Sequence, residues 1–455
     1  MERVFQDLLN DIPDYQEFLT LEELNESSKR LAAAYPSVVE LFEIGRTRNN
    51  RPLLCLKIGK GSKNALMFGC PHPNEPIGTM MLEHFTEALA RDEALRRELD
   101  YTFYIVKVWD ADGYAMNAGW IKGPYTLYNY SRHFYRPASN LQVDWTFPID
   151  YKDLHFHDVM PETQAMKDLI DRIRPTFTYA LHNSGFGGVY WYVTEDIPEV
   201  YPLLAEASLR QGIPLHLGEP ESPAIVSLAP AVCLAEGIES EYDYYEKYGA
   251  QDIPKIIKSG TCSDAYSKQA YGTFTFLTEM PYFYDARIND STPSKFTRSE
   301  AVLRKLDWLE ESNRRVKAVI DMSAPYLQDD NLFIKVVREY TDGRGDESVR
   351  RMAKEDPEYQ KIATVAEYFD SVCISRFYRL LAYGMLVRAH EFELERAEGA
   401  AVETLRSGLG AAEELHGQLA AELEEEFDYS VIPIKKLATI QLECGIRVAK
   451  YIHNR

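Results

Sequence analysis

Ala65-Leu66-Met67-Phe68-Gly69-Cys70-Pro71-His72-Pro73-Asn74-Glu75-Pro76 is the stretch from which the rest of the chain is read. Ala65 to Phe68 is short and wholly apolar, bounded by Asn64 and Gly69, as a strand buried on both faces would be. Pro71, Pro73 and Pro76 bar a regular helix and bias each preceding residue to extended backbone, so we expect a tight turn at the strand's carboxyl end. Such a turn aims His72 and Glu75 the same way, and Pro76 suits the first residue of a following helix. Neutral imidazole plus carboxylate is a donor pair that suits zinc, and a catalytic zinc takes three protein ligands and keeps one position for water. A third ligand is therefore needed; a plain surface turn is the alternative. Cys70 closes the apolar strand, and free cysteine packs as a small hydrophobe, so we expect it in the core rather than on a metal.

Outward from this motif the chain alternates strands and helices. Thr20-Leu21-Glu22-Glu23 is a capping box opening an amphipathic helix that stops before Pro36. Val38 to Ile44 and Leu53 to Ile58 flank the polar Thr47-Arg48-Asn49-Asn50-Arg51 and read as a hairpin. A helix over 77–91 and an apolar run over 103–108 complete a strand, helix, strand unit. The pattern recurs with a helix over 161–173, the run Phe177 to Leu181, a helix over 200–211 and the run Phe274 to Leu277. Alternation of this kind predicts a mostly parallel sheet with helices on both faces, its chemistry gathered beyond the carboxyl ends of the strands. A long helix over 300–321 closes this part. After Pro325 helix formers dominate, with long patterns over 365–398, 402–426 and 434–451, so we expect an α/β catalytic domain over 1–325 and an all-α extension over 326–455. That extension offers a surface for a homo-oligomer.

Of the ten histidines, the nine other than His72 compete for the third ligand position. His182 is preferred because it ends the run Phe177 to Leu181 and is followed by Asn183-Ser184-Gly185-Phe186-Gly187-Gly188, a loop that lets backbone approach a bound group. His155 and His157 lie in a polar stretch and read as a surface pair. A hydrolytic water activated by the metal needs a base, and Glu279, just beyond Phe274 to Leu277, reaches the same sheet edge. An oxyanion on the substrate needs a fixed cation, for which Arg136 and Arg132 are the candidates.

Taken together these residues resemble the zinc metallocarboxypeptidases related to pancreatic carboxypeptidase A, over about residues 15 to 322. His72-Pro73-Asn74-Glu75 is similar to that family's His-x-x-Glu ligand pair, and His182 to its third ligand. Asp110-Ala111-Asp112-Gly113-Tyr114 is similar to its Asn-Pro-Asp-Gly-aromatic turn, Arg136 to the arginine that polarises the scissile carbonyl, and Glu279 to its general base. The resemblance implies a mixed eight-stranded sheet, one zinc ion and a peptide or acyl-amino-acid substrate. It also has gaps. Where the family carries an Asn-Arg pair that grips a terminal carboxylate, this chain reads Val143-Asp144-Trp145-Thr146-Phe147-Pro148, and neither Thr146 nor Phe147 can replace a guanidinium. The family's mobile tyrosine falls near Ile256, leaving Tyr245, Tyr248 or Tyr266 as substitutes. Arg132 then has to meet a substrate carboxylate, or else Trp145 and Phe147 line an apolar pocket. The expected function is zinc-dependent hydrolysis of a peptide or amide bond; the alternatives are an amidase or endopeptidase, or an inactive zinc-binding scaffold.

Bulk properties narrow the classes further. With 50 basic against 71 acidic residues the net charge is −21, which argues against nucleic acid or an anionic membrane as partner. The hydrophobic share of 45% is that of a globular protein, and no long uncharged apolar run occurs. The amino terminus has no basic segment followed by an apolar core, and the six cysteines form no Cys-x-x-Cys pair. These features lead us to expect a soluble cytoplasmic protein.

Overall fold

The computed structural model describes residues 2–455. The central sheet has nine strands: β1 Val39–Arg46, β2 Pro52–Ile58, β3 Lys63–Gly69, β4 Tyr101–Val106, β5 Phe177–His182, β6 Tyr190–Val193, β7 Ser227–Ala229, β8 Val232–Leu234 and β9 Phe274–Glu279. Their order across the sheet is β1-β2-β4-β3-β5-β9-β6-β8-β7. Parallel pairing joins β4, β3, β5 and β9, and again β6 and β8, whereas the other neighbours are antiparallel. The sheet is mixed, as expected, but it has nine strands rather than eight and no parallel majority. Two of the antiparallel pairs have links too short for a crossover, between Arg46 and Pro52 and between Ala229 and Val232.

Alternation along the inner strands divides the core into two layers. Leu66, Phe68, Val106 and Ala180 face Met166, Leu169 and Ile170 of helix Pro161–Ile173. Ala65, Met67, Phe177 and Tyr179 share the larger cluster with Met81 and Phe85 of helix Ile77–Arg91 and Leu437 and Ile440 of helix Ile434–His453. Close approach is built in on that side: a Cβ on Gly78 would stand 2.5 Å from the Leu181 Cβ, and one on Gly445 would stand 2.2 Å from the Tyr179 ring. The Tyr179 hydroxyl donates to the Gln441 carbonyl at 2.6 Å and the Tyr101 hydroxyl to that of Ala449 at 2.8 Å. The capping box of helix Leu21–Ala34 is present, with Thr20 Oγ1 accepting from the Glu23 amide and Glu23 Oε2 from the Thr20 amide.

Between β9 and the last helix the chain makes one long excursion. It leaves through Phe283–Asp285 and returns through Tyr429–Val431, and these two short strands pair antiparallel. The intervening helices are Arg298–Ser323, Leu332–Tyr340, Asp346–Glu355, Val365–Phe369, Ser375–Leu394 and Ala400–Glu426. The continuous helix expected over 365–398 is interrupted by a π turn at Asp370–Ile374, a device common beside functional sites. Leu380, Leu386, Leu405 and Leu423 of the excursion belong to the same cluster as Met67 and Tyr179. Among the described residues no helix is long and apolar enough to cross a membrane.

The contact between Gly445 and Tyr179 can be tested by chemical denaturation. Gly445→Ala is expected to lower stability by about 1–3 kcal/mol through overpacking. Gly410→Ala, in an exposed helix position with nothing within 4 Å of the added Cβ, is expected to raise it by about 0.5–1 kcal/mol.

Candidate metal and catalytic centre

The parallel core of the sheet places the site. Gly69 ends β3 opposite Leu181, and Glu279 ends β9 in register with His182 at the end of β5. Three neighbouring strands thus deliver the His72 turn, His182 and Glu279 to one edge. Cys70 turns the chain with φ 47°. The Glu75 amide donates to the His72 carbonyl at 3.1 Å, closing the turn. Two outside groups fix it: the Tyr282 hydroxyl donates to the Asn74 carbonyl at 2.7 Å, and Asn183 Oδ1 accepts from the Ile77 amide at 3.0 Å. The Cys70 thiol points away from the histidines and donates to the Glu75 carbonyl at 3.3 Å.

His72 Nδ1 and His182 Nδ1 each stand 3.0 Å from a different Glu75 oxygen and 3.2 Å from each other. A tetrahedral zinc with bonds of about 2.0–2.1 Å needs ligand atoms about 3.3 Å apart, so the donor set converges to the right size. All three side chains are buried. Burial and the Arg136 charge push the His72 imidazole down to about 3, which leaves it neutral and free to bind a cation. Burial works against the Glu75 carboxylate, but the two imidazoles outweigh it and hold the group below its ordinary range. On the far side of His182, an Asp144 oxygen lies 3.9 Å from Nε2, and Asp144 itself accepts from the Ser263 amide at 3.2 Å. A carboxylate behind a ligating imidazole orients the ring and raises its basicity.

Glu279 Oε1 lies 3.9 Å from His182 Nδ1. Burial, then the charges of Glu221 and Glu75, raise its carboxyl well above the usual range, while Arg136 opposes the rise. Arg136 donates to Glu75 Oε1 at 3.3 Å and through Nε and Nη2 to Gln142 Oε1 at 3.4 and 3.3 Å. All five residues line one cavity of about 790 Å³, within the size range of small-molecule sites.

Several residues expected at the substrate pocket lie elsewhere. Arg132 is ion-paired with Glu391 and is absent from the cavity wall, because helix Leu127–His133 packs that side against Ser375–Leu394. The Thr146 hydroxyl meets that of Thr163 at 2.5 Å, and Phe147 is fully buried against Trp109 and Tyr266. The Tyr266 hydroxyl donates to Asp171 at 2.5 Å and that of Tyr248 to Asp356 at 2.9 Å, so neither reaches the site. Of that group only Trp145 lines the cavity. His155 and His157 both face Asp150 on the surface. Tyr190 and Tyr192 form part of the wall, while Trp191 between them points into the core.

Sequence reading assigned nothing of the site to the helices beyond residue 300, yet Leu309, Tyr340, Asp370, Tyr378 and Arg379 close the cavity. One signal was present: Arg379 interrupts the apolar run of Phe377, Leu380 and Leu381.

Fold and site together define a metallopeptidase class of architecture. Residues 24–282, more than half of the chain, match the family model described as zinc carboxypeptidase. The chain belongs to the zinc carboxypeptidase family. It is similar to carboxypeptidase A6 of Homo sapiens, 34% identical over 109 residues that cover 22% of this chain and 25% of that one. It is also similar to human mast cell carboxypeptidase A, 29% identical over 119 residues, covering 24% and 28%. These matches span about a quarter of the length of either relative. Among solved structures it is similar to a metallo-carboxypeptidase from Burkholderia cenocepacia, 17% identical with a TM-score of 0.33, covering 58% of this chain and 60% of that one. Carboxypeptidase A from Helicoverpa armigera is 15% identical with a TM-score of 0.36, covering 62% and 71%.

Elemental analysis after zinc loading and dialysis tests the donor set. Glu75→Gln and His182→Ala are each expected to weaken zinc retention by at least about 100-fold, whereas Cys70→Ser is expected to keep the metal. Loss of zinc from the Cys70 variant alone would place the site elsewhere.

Proposed function

We propose that the protein is a peptide- or amide-bond hydrolase that uses one zinc ion held by His72, Glu75 and His182. The observation that carries the reading is the register of Glu279 with His182, which sets a buried carboxylate with a raised pKa beside the converged donor set. When bound, zinc supplies a Lewis acid that lowers the pKa of water and polarises a carbonyl. Glu279 takes the proton of the attacking water and delivers it to the leaving amine, a role that suits a carboxyl raised by burial. The Arg136 guanidinium, half-anchored by Gln142, faces the same cavity and stabilises the oxyanion as the carbonyl becomes tetrahedral. Asp144 stands 3.9 Å behind the His182 ring without a hydrogen bond to it, and Trp145, Tyr190 and Tyr192 supply apolar walls for the substrate.

A zinc-binding scaffold would need neither Glu279 nor Arg136, and both stand at the donor set, which supports the enzyme over the scaffold. Six free cysteines, all buried, support a reducing, cytoplasmic setting.

Hydrolysis of a peptide and acyl-amino-acid library by wild type and Glu279→Gln tests the reading. Glu279→Gln is expected to retain zinc and to lose about 1,000-fold in kcat. Equal rates in the two zinc-loaded proteins, or no turnover by either, would refute it.

A further inference from the structure

Helix Ser375–Leu394 carries a guanidinium that nothing neutralises. Arg379 is only 7% exposed. Its Nη2 donates to the Tyr340 carbonyl at 3.2 Å, Nη1 has no partner, and among the described residues no carboxylate oxygen lies within 4 Å of it. Other inward-facing arginines are balanced: Arg298 by Glu219, Arg376 by Glu422 and Glu426, and Arg136 by Glu75. Arg388 also lacks a carboxylate, but it donates to three carbonyls, those of His133, Phe134 and Met116. Arg379 has one. A buried cation without hydrogen-bonded compensation is destabilising, and such uncompensated charge is retained at functional sites.

Its position gives that charge a use. Arg379 lines the same cavity as His72, Glu75, Arg136 and Glu279. Tyr340 is 37% exposed, its carbonyl accepts from Arg379, and its phenol feels the charges of both Arg136 and Arg379. Asp346 feels the Arg379 charge but makes no ion pair with it. Carboxylates line the same cavity: Glu221 is held by the Tyr190 hydroxyl and raises the Glu279 carboxyl, and Asp370 lies on the helical cover. None of them pairs with Arg379.

We propose that Arg379 anchors a carboxylate of the substrate, taking the place of the Asn-Arg clamp that Trp145-Thr146-Phe147 lacks, so that the helical excursion and not the sheet domain sets substrate class. The inference rests on the hydrolase reading of the cavity. Nη1 is sealed from the cavity, and the edge left to a ligand is Nε–H with the second N–H of Nη2, which matches a carboxylate in two-point geometry.

Three probes separate the sources of the carboxylate: N-benzoyl-glycyl-phenylalanine, its carboxyl-terminal amide, and N-benzoyl-glycyl-glutamic acid α-amide. Wild type is expected to favour one of the two acids over the neutral amide by at least about 100-fold in kcat/KM, and Arg379→Met to reduce that ratio below about 10-fold. Arg379→Lys, which keeps the charge but not the fork, is expected to fall between them. The melting temperature of Arg379→Met is expected to equal or exceed that of wild type, because the substitution removes a buried charge and strands no partner carboxylate. An unchanged ratio in Arg379→Met, whether its melting temperature holds or falls, or a wild type that prefers the neutral amide, overturns the proposal. If wild type cleaves none of the three probes and nothing in the peptide and acyl-amino-acid library, the hydrolase reading is what has failed. Calorimetric titration of zinc-loaded wild type and Arg379→Met with the same probes then decides this one: selective loss of acid binding in the variant supports it, and equal binding overturns it.

Discussion

Glu75 is a carboxylate buried between two imidazoles, and much of the molecule is arranged to keep it there. An ionised carboxyl in an apolar interior is unfavourable by several kcal/mol unless cations or donors face it. The Arg136 guanidinium at 3.3 Å provides part of that compensation, and a cation held between the carboxylate and the two Nδ1 atoms 3.0 Å from it would supply the rest. Each of these side chains comes from a different segment: the His72 turn after β3, the end of β5 and the loop before Asp144. The parallel core of the sheet is what lets these segments meet, because only parallel neighbours bring their carboxyl ends to the same edge. The tight packing of Gly78 on Leu181 and of Gly445 on Tyr179 holds the strands beneath that edge in place.

Local signals in the sequence carried most of the sheet and the metal cluster. Three prolines around His72 announced a turn, and apolar runs ending at His182 and Glu279 announced strands whose last residues share an edge. The shape of the sheet was less legible: periodicity marks a strand without saying which neighbour it pairs with, so the antiparallel β1–β2 hairpin was read correctly but the short strands β6, β7 and β8 were not anticipated. The substrate pocket was read least well. Thr146 and Phe147 were assigned to it by position in a motif, but the Thr146 hydroxyl is satisfied by Thr163 and Phe147 completes an aromatic group with Trp109. Arg132 looked available as a cation because its partner, Glu391, lies 259 residues away in sequence. Long-range ion pairs leave no local trace.

The helical excursion from Asp285 to Tyr429 changes what the cavity can recognise. A sheet edge alone offers His72, Glu75, His182, Glu279 and Arg136; the excursion adds Tyr340, Tyr378 and Arg379 and encloses a volume of about 790 Å³. The π turn at Asp370–Ile374 shifts the register of Ser375–Leu394, and its Asp370 carboxylate accepts from the Glu219 amide at 2.9 Å, tying the cover to the loop that carries Glu221.

The central claim is that zinc sits among His72, Glu75 and His182. Anomalous diffraction recorded on either side of the zinc edge, from crystals grown with equimolar zinc, tests it most directly. We expect a single strong peak about 2.0–2.2 Å from His72 Nδ1, His182 Nδ1 and a Glu75 oxygen. A peak at any other set of side chains, with none at this one, would contradict it.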